Sequence, residues 1–528
     1  METENGETRP LLSDTVGQVA DNETHATPTD SEGQRGSSFS KNLGTAEAFA
    51  IVISIVIGSG VFTSPGSIDT NVPSPGAALV VWLVGGILAW TGASTMAELG
   101  TAIPGEGGVQ PYLRYIFGDV FGFLAAWTWI VAVMPATQAI LSIVFVESIY
   151  SAAGITDKAD RIEHKLLSIL ILVIISVANS ISTKASTRLN SFFVATKFLT
   201  IVAVVIAGIA VAIMQATHPK RGDIGGRDWF THSWFESRPT VNPDGSKTDW
   251  RCLSEWELVG HYSTAFWGAL WGYSGWDKAI YISAELSSPA KQLPLAINSA
   301  VPTIIVCFLL ANAAYYVLLP WEMVSTTDSV AVTAITRLLG QGFGTVAAVL
   351  ICLVVAGSLL GNSFVAGRMA VAASNTDCLP RIFGVLGKIG TKSRAEDRSR
   401  TEYNSESADA TRNSDAPINA IILSTVLSAL YIIFGNFRAL LTFNGLGEYS
   451  FFFLAVLGAV ILRFREPDLQ RPYKPWILIP VIFAVVSGFV VVRGAIFSPV
   501  LAVVLIVLWA IGVLVYWGRR EYARRLAA

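Results

Sequence analysis

A series of long, nearly uncharged apolar runs constrains this chain more than any other feature. Residues 76–97, 166–181, 417–434 and 498–517 are each close to the ~20 residues that carry a helix across a bilayer. Their apolar residues form continuous blocks, unlike the alternating or amphipathic patterns of a soluble core. Only 14% of the residues are charged, against roughly a quarter in soluble domains. The sequence therefore predicts a protein embedded in a membrane.

Run length predicts about twelve spans and hence an all-α polytopic membrane protein. The spans, numbered one to twelve below, are expected near residues 45–70, 76–101, 118–150, 165–181, 186–214, 259–284, 295–319, 341–374, 417–435, 438–463, 475–493 and 498–518. Several exceed the length that a bilayer requires, which permits tilt or extension into water.

Charge and cysteine usage exclude several classes of protein. The net charge is −2, from 37 basic and 39 acidic residues, and it gives no argument for a nucleic-acid partner. The four cysteines are scattered, and none has metal-ligand spacing. We find no catalytic cluster and no phosphate-cradling motif. We therefore expect neither an enzyme, nor a bound metal, nor a cofactor.

Two of the spans are interrupted in their middle by small residues. Span one contains Gly58-Ser59-Gly60, and span six contains Tyr273-Ser274-Gly275. Glycine weakens a helix, and backbone left unpaired in lipid is costly unless it lines a polar cavity. Taken singly, either motif is equally compatible with close helix packing. Spans one and six are equivalent positions if spans 1–5 and 6–10 form a 5+5 inverted repeat, and paired breaks then indicate a midplane binding site.

Such a pair of breaks suits a zwitterion. A half-helix that begins at a break offers free N–H groups to a carboxylate, and one that ends there offers carbonyls to an ammonium group. We expect the N–H groups of Ser59 and Gly60 to bind the carboxylate and Trp271 and Tyr273 to select the substrate side chain. The carbonyls expected to bind the amine are those of Val56, Trp271, Gly272 and Ser274. The complete set of candidate substrate-binding residues is Val56, Ile57, Ser59, Gly60, Trp271, Gly272, Tyr273, Ser274, Asp277 and Glu448.

These residues also carry a family resemblance. The run Ile57-Gly58-Ser59-Gly60-Val61-Phe62 resembles the first-span motif of the amino acid–polyamine–organocation superfamily. Ala97-Glu98-Leu99-Gly100, residues 272–297 and residues 462–472 are similar to segments of its L-type amino acid transporters, in the fungal branch. The resemblance covers residues 45–495. It implies the inverted-repeat fold with spans one and six broken, and transport of L-amino acids.

The chain departs from the family pattern at several positions. Animal L-type members carry a cysteine between spans three and four that bonds a glycoprotein partner, whereas residues 151–164 contain no cysteine. We therefore expect no covalent heavy-chain partner. Trp271 replaces the family's usual gating phenylalanine, and Asp277 and Glu448 stand where the animal transporters usually have asparagine.

Charged residues within spans are functional candidates by default. The resemblance implies that Lys197 of span five packs against span one in place of a bound sodium ion, with a structural or proton-linked role. The alternative is a lysine that snorkels to the interface. Asp277 could receive the substrate ammonium, pair with Lys278 or carry a proton, and Glu448 could do likewise or hold a structural hydrogen bond.

Three functions are compatible with this pattern. The first is a secondary transporter that moves neutral L-amino acids by alternating access around spans one and six. The second is an amine or polyamine permease, which the additional carboxylates Asp277 and Glu448 favour. The third is a non-transporting amino acid sensor, against which the short tails and the intact glycines of both breaks argue.

The distribution of Lys and Arg predicts the orientation of the chain. Basic loops follow spans eight and ten, and the C-terminus is also basic, which places both termini in the cytoplasm. We predict a disordered cytoplasmic tail at 1–43, a transporter domain at 44–518 and a cytoplasmic tail at 519–528. The transporter domain would have a cytoplasmic loop near 377–416 and an extracytoplasmic loop near 215–258. We expect the plasma membrane, with a vacuolar or endosomal membrane as the alternative.

Overall fold

The predicted spans correspond to helices in the structure. The computed structural model describes residues 45–103, 108–153, 161–181, 183–218, 224–242, 245–280, 286–327, 329–385 and 417–527. The described residues belong to one unit, Phe39–Ala528, and the other unit, Met1–Ser38, is not among them. The tail predicted at 1–43 and most of the loop predicted at 377–416 also lie outside the described ranges.

The N-terminal half contains nine α-helices and one π-helical turn in its described part. They are α1 (Thr45–Val56), α2 (Gly60–Asp69), α3 (Pro75–Ala102), α4 (Val109–Phe117), α5 (Asp119–Thr128), the π turn (Trp129–Val133), α6 (Met134–Ala152), α7 (Ile162–Ile181), α8 (Thr183–Thr217) and α9 (Asp228–Thr231). Spans one to five are α1 with α2, α3, α5 with α6, α7 and α8.

The C-terminal half repeats this pattern of long apolar helices. Its described helices are α10 (Glu255–Gly272), a 3₁₀ turn (Trp276–Ile280), α11 (Pro289–Leu318), α12 (Trp321–Thr326), α13 (Val330–Leu339), α14 (Gln341–Asn375), a second 3₁₀ turn (Arg381–Gly384), α15 (Ile418–Phe434), α16 (Phe437–Arg465), α17 (Leu478–Phe497) and α18 (Pro499–Ala527). Spans six to twelve are α10 with its 3₁₀ turn, α11, α14, α15, α16, α17 and α18.

The prediction of an all-α polytopic membrane protein is confirmed. Nine helices in the described ranges are long and apolar enough to cross a bilayer. The other three predicted spans are shorter pieces: spans one and six are each broken in two, and the helix of span nine has 17 residues. Strand structure in the described part is limited to an antiparallel pair, Thr240–Val241 with Lys247–Thr248.

The two halves share a local structure that the broken spans alone do not reveal. The short helices α4 and α13 each end at a glycine with nearly the same left-handed backbone, Gly118 (φ 96°, ψ 177°) and Gly340 (φ 90°, ψ 173°). A long span begins directly after each glycine. The turn is built from glycine because a left-handed conformation strains other L-residues.

A second pair of glycines completes this correspondence. A Cβ on Gly122 would lie 2.6 Å from Cβ of Arg114, and a Cβ on Gly344 would overlap Thr336. In each half the contact joins the residue four positions before the turn glycine to the residue four positions after it. Gly118-Asp-Val-Phe-Gly122 and Gly340-Gln-Gly-Phe-Gly344 therefore match one another in sequence and in geometry, as a repeated architecture requires.

Contacts between loops define two ends of the helix bundle. At one end, the start of α3 and the residues before it bind residues 224–242: Gly76 N–H donates to Trp234 O (2.7 Å) and Arg238 N–H donates to Pro73 O (3.0 Å). We call this the hairpin end, after the antiparallel pair of Thr240–Val241 with Lys247–Thr248. At the opposite, basic end, the Arg465 guanidinium donates to Ile116 O (2.9 Å). The segments that flank α3 thus lie at opposite ends of the bundle.

The basic end is joined by buried ionic contacts. Glu98 of α3 accepts from Arg463 Nε of α16 at 2.9 Å and lies 3.4 Å from Arg471 Nε. Glu98 thus pairs with the end of α16 and with the loop that follows it. Nearby, Tyr473 shares a 2.6 Å hydrogen bond with Ser94 and accepts from Asn298 of α11 at 3.0 Å. The loop after α16 is thereby tied to spans two and seven.

Candidate functional site

The first helix break lies between α1 and α2. The helix α1 ends at Val56, residues 57–59 bend, and α2 begins at Gly60. Ser59 precedes the first turn of α2, and its side chain makes no capping hydrogen bond in the described part of the chain. Within those residues the N–H groups of Ser59, Gly60 and Val61 also have no backbone acceptor. The start of α2 therefore presents uncapped donors and the positive end of a helix dipole.

The second break lies between α10 and the 3₁₀ turn. The helix α10 ends at Gly272, and residues 273–275 form a turn. Gly275 has φ 106°, which favours glycine and gives a backbone reason for the residue at this position. The carbonyl of Trp271 accepts the Ser274 N–H at 3.0 Å. Since a carbonyl has two lone pairs, the end of α10 can still accept hydrogen bonds from a ligand.

The structure brings the two breaks into direct backbone contact. A Cβ built on Gly60 would lie 2.5 Å from Cα of Gly272. A Cβ on Gly272 would in turn lie 2.6 Å from the ring of Trp82, which backs the break from α3. The start of α2 can approach the end of α10 only because both residues lack a side chain. The predicted carboxylate-binding and amine-binding groups are thus adjacent.

The residues of the two breaks differ in burial. Gly58, Trp271 and Ser274 are half-buried, whereas Ser59, Gly60 and Gly272 are buried. The Val56 and Ile57 side chains are also buried in the core. The Val56 carbonyl accepts the Gly58 N–H at 2.8 Å. Of the candidate substrate-binding residues, only Trp271 and Ser274 present side chains to accessible space.

Tyr273 lies on the opposite side of the break from this accessible space. Its ring is fully buried, with its centroid 5.0 Å from that of Phe308 and 5.9 Å from that of Trp82. A Cβ on Gly86 would lie 2.8 Å from the Tyr273 hydroxyl. The side chain thus packs behind the break, between α3 and α11, whereas the backbone of Tyr273 forms the break itself.

The two candidate carboxylates are held beside one aromatic cluster. Asp277 is fully buried, and its neighbour Trp276 packs against Phe452 with 4.7 Å between ring centroids. Glu448 is 4% exposed. Its neighbour Tyr449 contacts the same Phe452, at 5.5 Å. The structure therefore brings both acidic residues to the interface of spans six and ten, in buried positions.

Lys197 lies on α8, which packs against α11 and α14. It is 2% exposed and therefore lies inside the protein. This burial does not fit the snorkelling alternative, because a snorkelling lysine keeps its ammonium group in water.

Two features near the site were missed from the sequence. The π turn in span three arises at Pro135, whose missing N–H leaves the Val131 carbonyl without its helical donor. The Tyr431 hydroxyl of α15 donates to that carbonyl at 3.1 Å. A proline within an apolar span was the available signal. The second feature is the buried carboxylate of Asp69, at the far end of α2. The available signal was an acidic residue within the apolar run of span one.

The chain matches a known family of membrane proteins over most of its length. The family model described as amino acid permease matches residues 43–517. The chain belongs to the amino acid permease family. The permease is 30% identical over 481 residues to the b(0,+)-type amino acid transporter 1 of Mus musculus, covering 91% of this chain and 88% of that protein. It is 27% identical over 499 residues to the large neutral amino acids transporter small subunit 2 of Homo sapiens, covering 94% and 83%.

These similarities confirm the resemblance inferred from the motifs. The permease is a secondary amino acid transporter and a multi-pass membrane protein, in a family of transporters and not of enzymes. Among its described residues there is no cluster of three or more His, Cys, Asp and Glu suited to a metal ion. All four cysteines, which lie in the described ranges, are free thiols.

Proposed function

We propose that the permease carries neutral L-amino acids by alternating access, with its substrate held between the breaks of spans one and six. The observation that supports this most is the backbone contact of Gly60 with Gly272. It places an uncapped helix start beside a helix end. A substrate with a carboxylate and an ammonium group on one carbon has the same two charges at short separation.

The N–H groups of Ser59 and Gly60 would bind the substrate carboxylate. Their support is the uncapped start of α2, where N–H groups and the helix dipole favour an anion. The buried setting strengthens these charge-assisted hydrogen bonds relative to bulk water. The side chain of Ser59 is unused as a cap and can add a hydroxyl donor.

The carbonyls of Val56, Trp271, Gly272 and Ser274 would bind the substrate ammonium group. The carbonyls of Val56 and Trp271 each accept one turn hydrogen bond and keep a second lone pair. The ends of α1 and α10 also carry the negative ends of their helix dipoles, which favour a cation. This arrangement needs no carboxylate from the protein to neutralise the substrate.

Substrate side-chain selection would fall to Trp271, with Ile57 and Tyr273 contributing through the shape of the breaks. Trp271 is the aromatic residue at the breaks that is half-buried, whereas Tyr273 packs behind them. A large ring at the accessible face limits the volume left for the substrate side chain.

Burial of Asp277 and Glu448 favours a neutral substrate over an amine or polyamine. A carboxylate that receives a second cationic group of a substrate must reach the accessible space, and both residues are at most 4% exposed. A positioning or proton-linked role suits them better. The name of one relative, the large neutral amino acids transporter small subunit 2, agrees with this assignment. A non-transporting sensor is the remaining alternative.

The buried position of Lys197 supports a structural or proton-linked role.

We also propose that the basic end faces the cytoplasm, with the hairpin end outside, because Lys and Arg mark the cytoplasmic side. On this orientation the domain limits stay as predicted: a tail at 1–43, a transporter domain at 44–518 and a tail at 519–528. We propose the plasma membrane as its location. No disulfide-linked partner is proposed, since residues 151–164 contain no cysteine.

Uptake into permease-deficient cells tests this proposal. Cells that express the protein at the surface are offered labelled neutral, cationic and anionic L-amino acids and a labelled polyamine. We expect accumulation of neutral amino acids and competition among them. Accumulation of the polyamine instead would support the second function. Absence of any uptake by correctly inserted protein would leave the sensor as the better account.

A further inference from the structure

Asp69 is a buried acidic residue that the proposed substrate site does not use. It is the last residue of α2 and is 0% exposed. Its Oδ1 accepts a 2.7 Å hydrogen bond from the hydroxyl of Tyr316 on α11. Its Oδ2 is buried and has no hydrogen-bond partner among the described residues. A carboxyl group in such a position needs a physical reason to be tolerated.

The position of Asp69 in α2 disfavours a negative charge. The C-terminal end of a helix carries the negative end of its dipole, so an ionised side chain there is repelled. Burial adds to this cost, because an isolated carboxylate loses far more solvation than a neutral carboxyl does. With Asp69 buried at the C-terminal end of α2, the structure therefore favours the protonated form of its carboxyl group.

Two polar side chains from neighbouring helices, His261 and Arg438, contact the residues that follow Asp69. The helix α2 packs against α3, α10, α11, α12 and α13. On α10, His261 Nδ1 lies 2.9 Å from Asn71 Oδ1, two residues beyond Asp69. Arg438 of α16 reaches Thr70 Oγ1 at 3.5 Å. Other charged and titratable groups on these elements are Glu98 of α3, Glu255, Glu257 and Tyr262 of α10, Lys291, Cys307 and Tyr315 of α11, Glu322 of α12 and Arg337 of α13. The described part of the overlying segment adds Arg227, Asp228, His232, Glu236, Arg238, Lys247, Asp249, Arg251 and Cys252.

The hairpin end covers Asp69. Thr240 Oγ1 donates to Val72 O at 3.2 Å, three residues after Asp69. The ring of Tyr316 packs edge-on against Trp234 of the same covering segment, with 6.1 Å between centroids. Asp69 thus lies beneath the cover and on the half-helix whose start forms the substrate break. If the hairpin end opened, Asp69 would become exposed, and the start of α2 at Gly60 would become accessible from the same side.

We propose that Asp69 is a proton-binding site, and that the hairpin end of the permease closes over it once its carboxyl has taken up a proton from the external solution. This inference rests on the alternating-access transport and the orientation proposed above. The ligand is a proton, transferred from external water to the carboxylate. A drop in external pH raises the protonated fraction, so more molecules can close and the exchange rate rises.

The test measures amino acid exchange as a function of external pH. Permease-deficient cells that express the protein are preloaded with unlabelled leucine, phenylalanine and alanine, and entry of the labelled mixture is followed from mildly alkaline to mildly acidic medium. For the wild type, entry should rise by up to about tenfold per pH unit, the limit for one titrating group. Entry that does not change with external pH would overturn the inference.

The decisive variant is Asp69→Asn, which is neutral at every pH and keeps an oxygen for Tyr316. At alkaline external pH it should exchange as fast as the wild type does in acid, and its rate should not vary with pH. This gain of rate cannot arise from misfolding. A variant that retains the wild-type pH dependence, or that reaches the surface but does not exchange at any pH, contradicts the proposal.

Two further variants separate Asp69 from its neighbours. His261→Gln keeps a partner for Asn71 and should retain the pH dependence of exchange. If exchange by His261→Gln no longer varied with external pH, the effect would be assigned to His261 instead of Asp69. Tyr316→Phe removes the donor to Asp69, so the charged form loses its hydrogen bond and half-maximal rate should occur at higher external pH. An unchanged profile in Tyr316→Phe would count against Asp69. Failure of the wild type to exchange at any pH would instead refute the proposed function.

Discussion

Glu98 of α3 and Arg463 of α16 form a buried ion pair in which both side chains are at most 6% exposed. The pair joins two segments that resemble family motifs, one at the end of span two and one at the end of span ten. Arg463 also donates to the Pro475 carbonyl at 2.8 Å, and Arg471 approaches the same carboxylate. One acidic side chain therefore balances two buried guanidinium groups.

Replacement of Glu98 should destabilise the protein strongly. Glu98→Gln leaves two buried arginines without an anion, and loss of one partner of a buried pair costs about 3–5 kcal/mol. Thermal unfolding of the detergent-solubilised protein measures the effect. The control is Glu521→Gln, which breaks the exposed pair with Arg525 (3.1 Å) and should leave the unfolding temperature unchanged. Equal unfolding temperatures for the two variants would refute the role given to Glu98.

The hydrogen bond from Tyr431 should stabilise the π turn of span three. Tyr431→Phe leaves the Val131 carbonyl, which Pro135 has deprived of its helical donor, without a partner. We expect a loss of about 1 kcal/mol in the free energy of unfolding. The exposed residue Tyr522 provides the control, since Tyr522→Phe removes a hydroxyl in solvent. Indistinguishable unfolding curves for these two variants would show that the carbonyl needs no such partner.

A pH-dependent contact should join α4 to the loop after α16. The Tyr115 hydroxyl donates to Glu466 at 2.6 Å, and this hydrogen bond lowers the pKa of Glu466 below its usual value. A carboxyl whose folded pKa is depressed stabilises the protein above its unfolded pKa, and the contribution is lost as the pH falls through the folded pKa. Tyr115→Phe should therefore lower the unfolding temperature slightly near neutral pH and not in strong acid. A difference that grows on acidification would contradict this assignment.

Much of this architecture could be predicted because the bilayer imposes a simple rule. Apolar run length located the helices of the predicted spans, nine of which are long and apolar enough to cross a bilayer in the described ranges, and glycine pairs in spans one and six located both breaks. The resemblance between Gly118-Asp-Val-Phe-Gly122 and Gly340-Gln-Gly-Phe-Gly344 was present in the sequence but gained meaning only from the shared backbone geometry of the two turns.

Side-chain direction could not be predicted in the same way. Trp271 and Tyr273 are two residues apart at one break, yet one faces accessible space and the other packs behind it. Their directions depend on the turn at 273–275 and on the contact of Gly272 with Trp82, both of which are tertiary features. The partner of Asp69 lies 247 residues away on α11, and no local pattern specifies such a pair.

Exchange by Gly60→Ala tests the central claim most directly, namely that the substrate binds where the two breaks meet. The added Cβ would lie 2.5 Å from Cα of Gly272, so α2 and α10 must separate and the donors and acceptors of the site move apart. The matched control is Gly361→Ala in span eight, where the described structure has no atom within 4 Å of the new Cβ. At equal surface levels, Gly60→Ala should lose exchange of labelled neutral amino acids while Gly361→Ala exchanges at the wild-type rate. Wild-type exchange by Gly60→Ala would contradict the account.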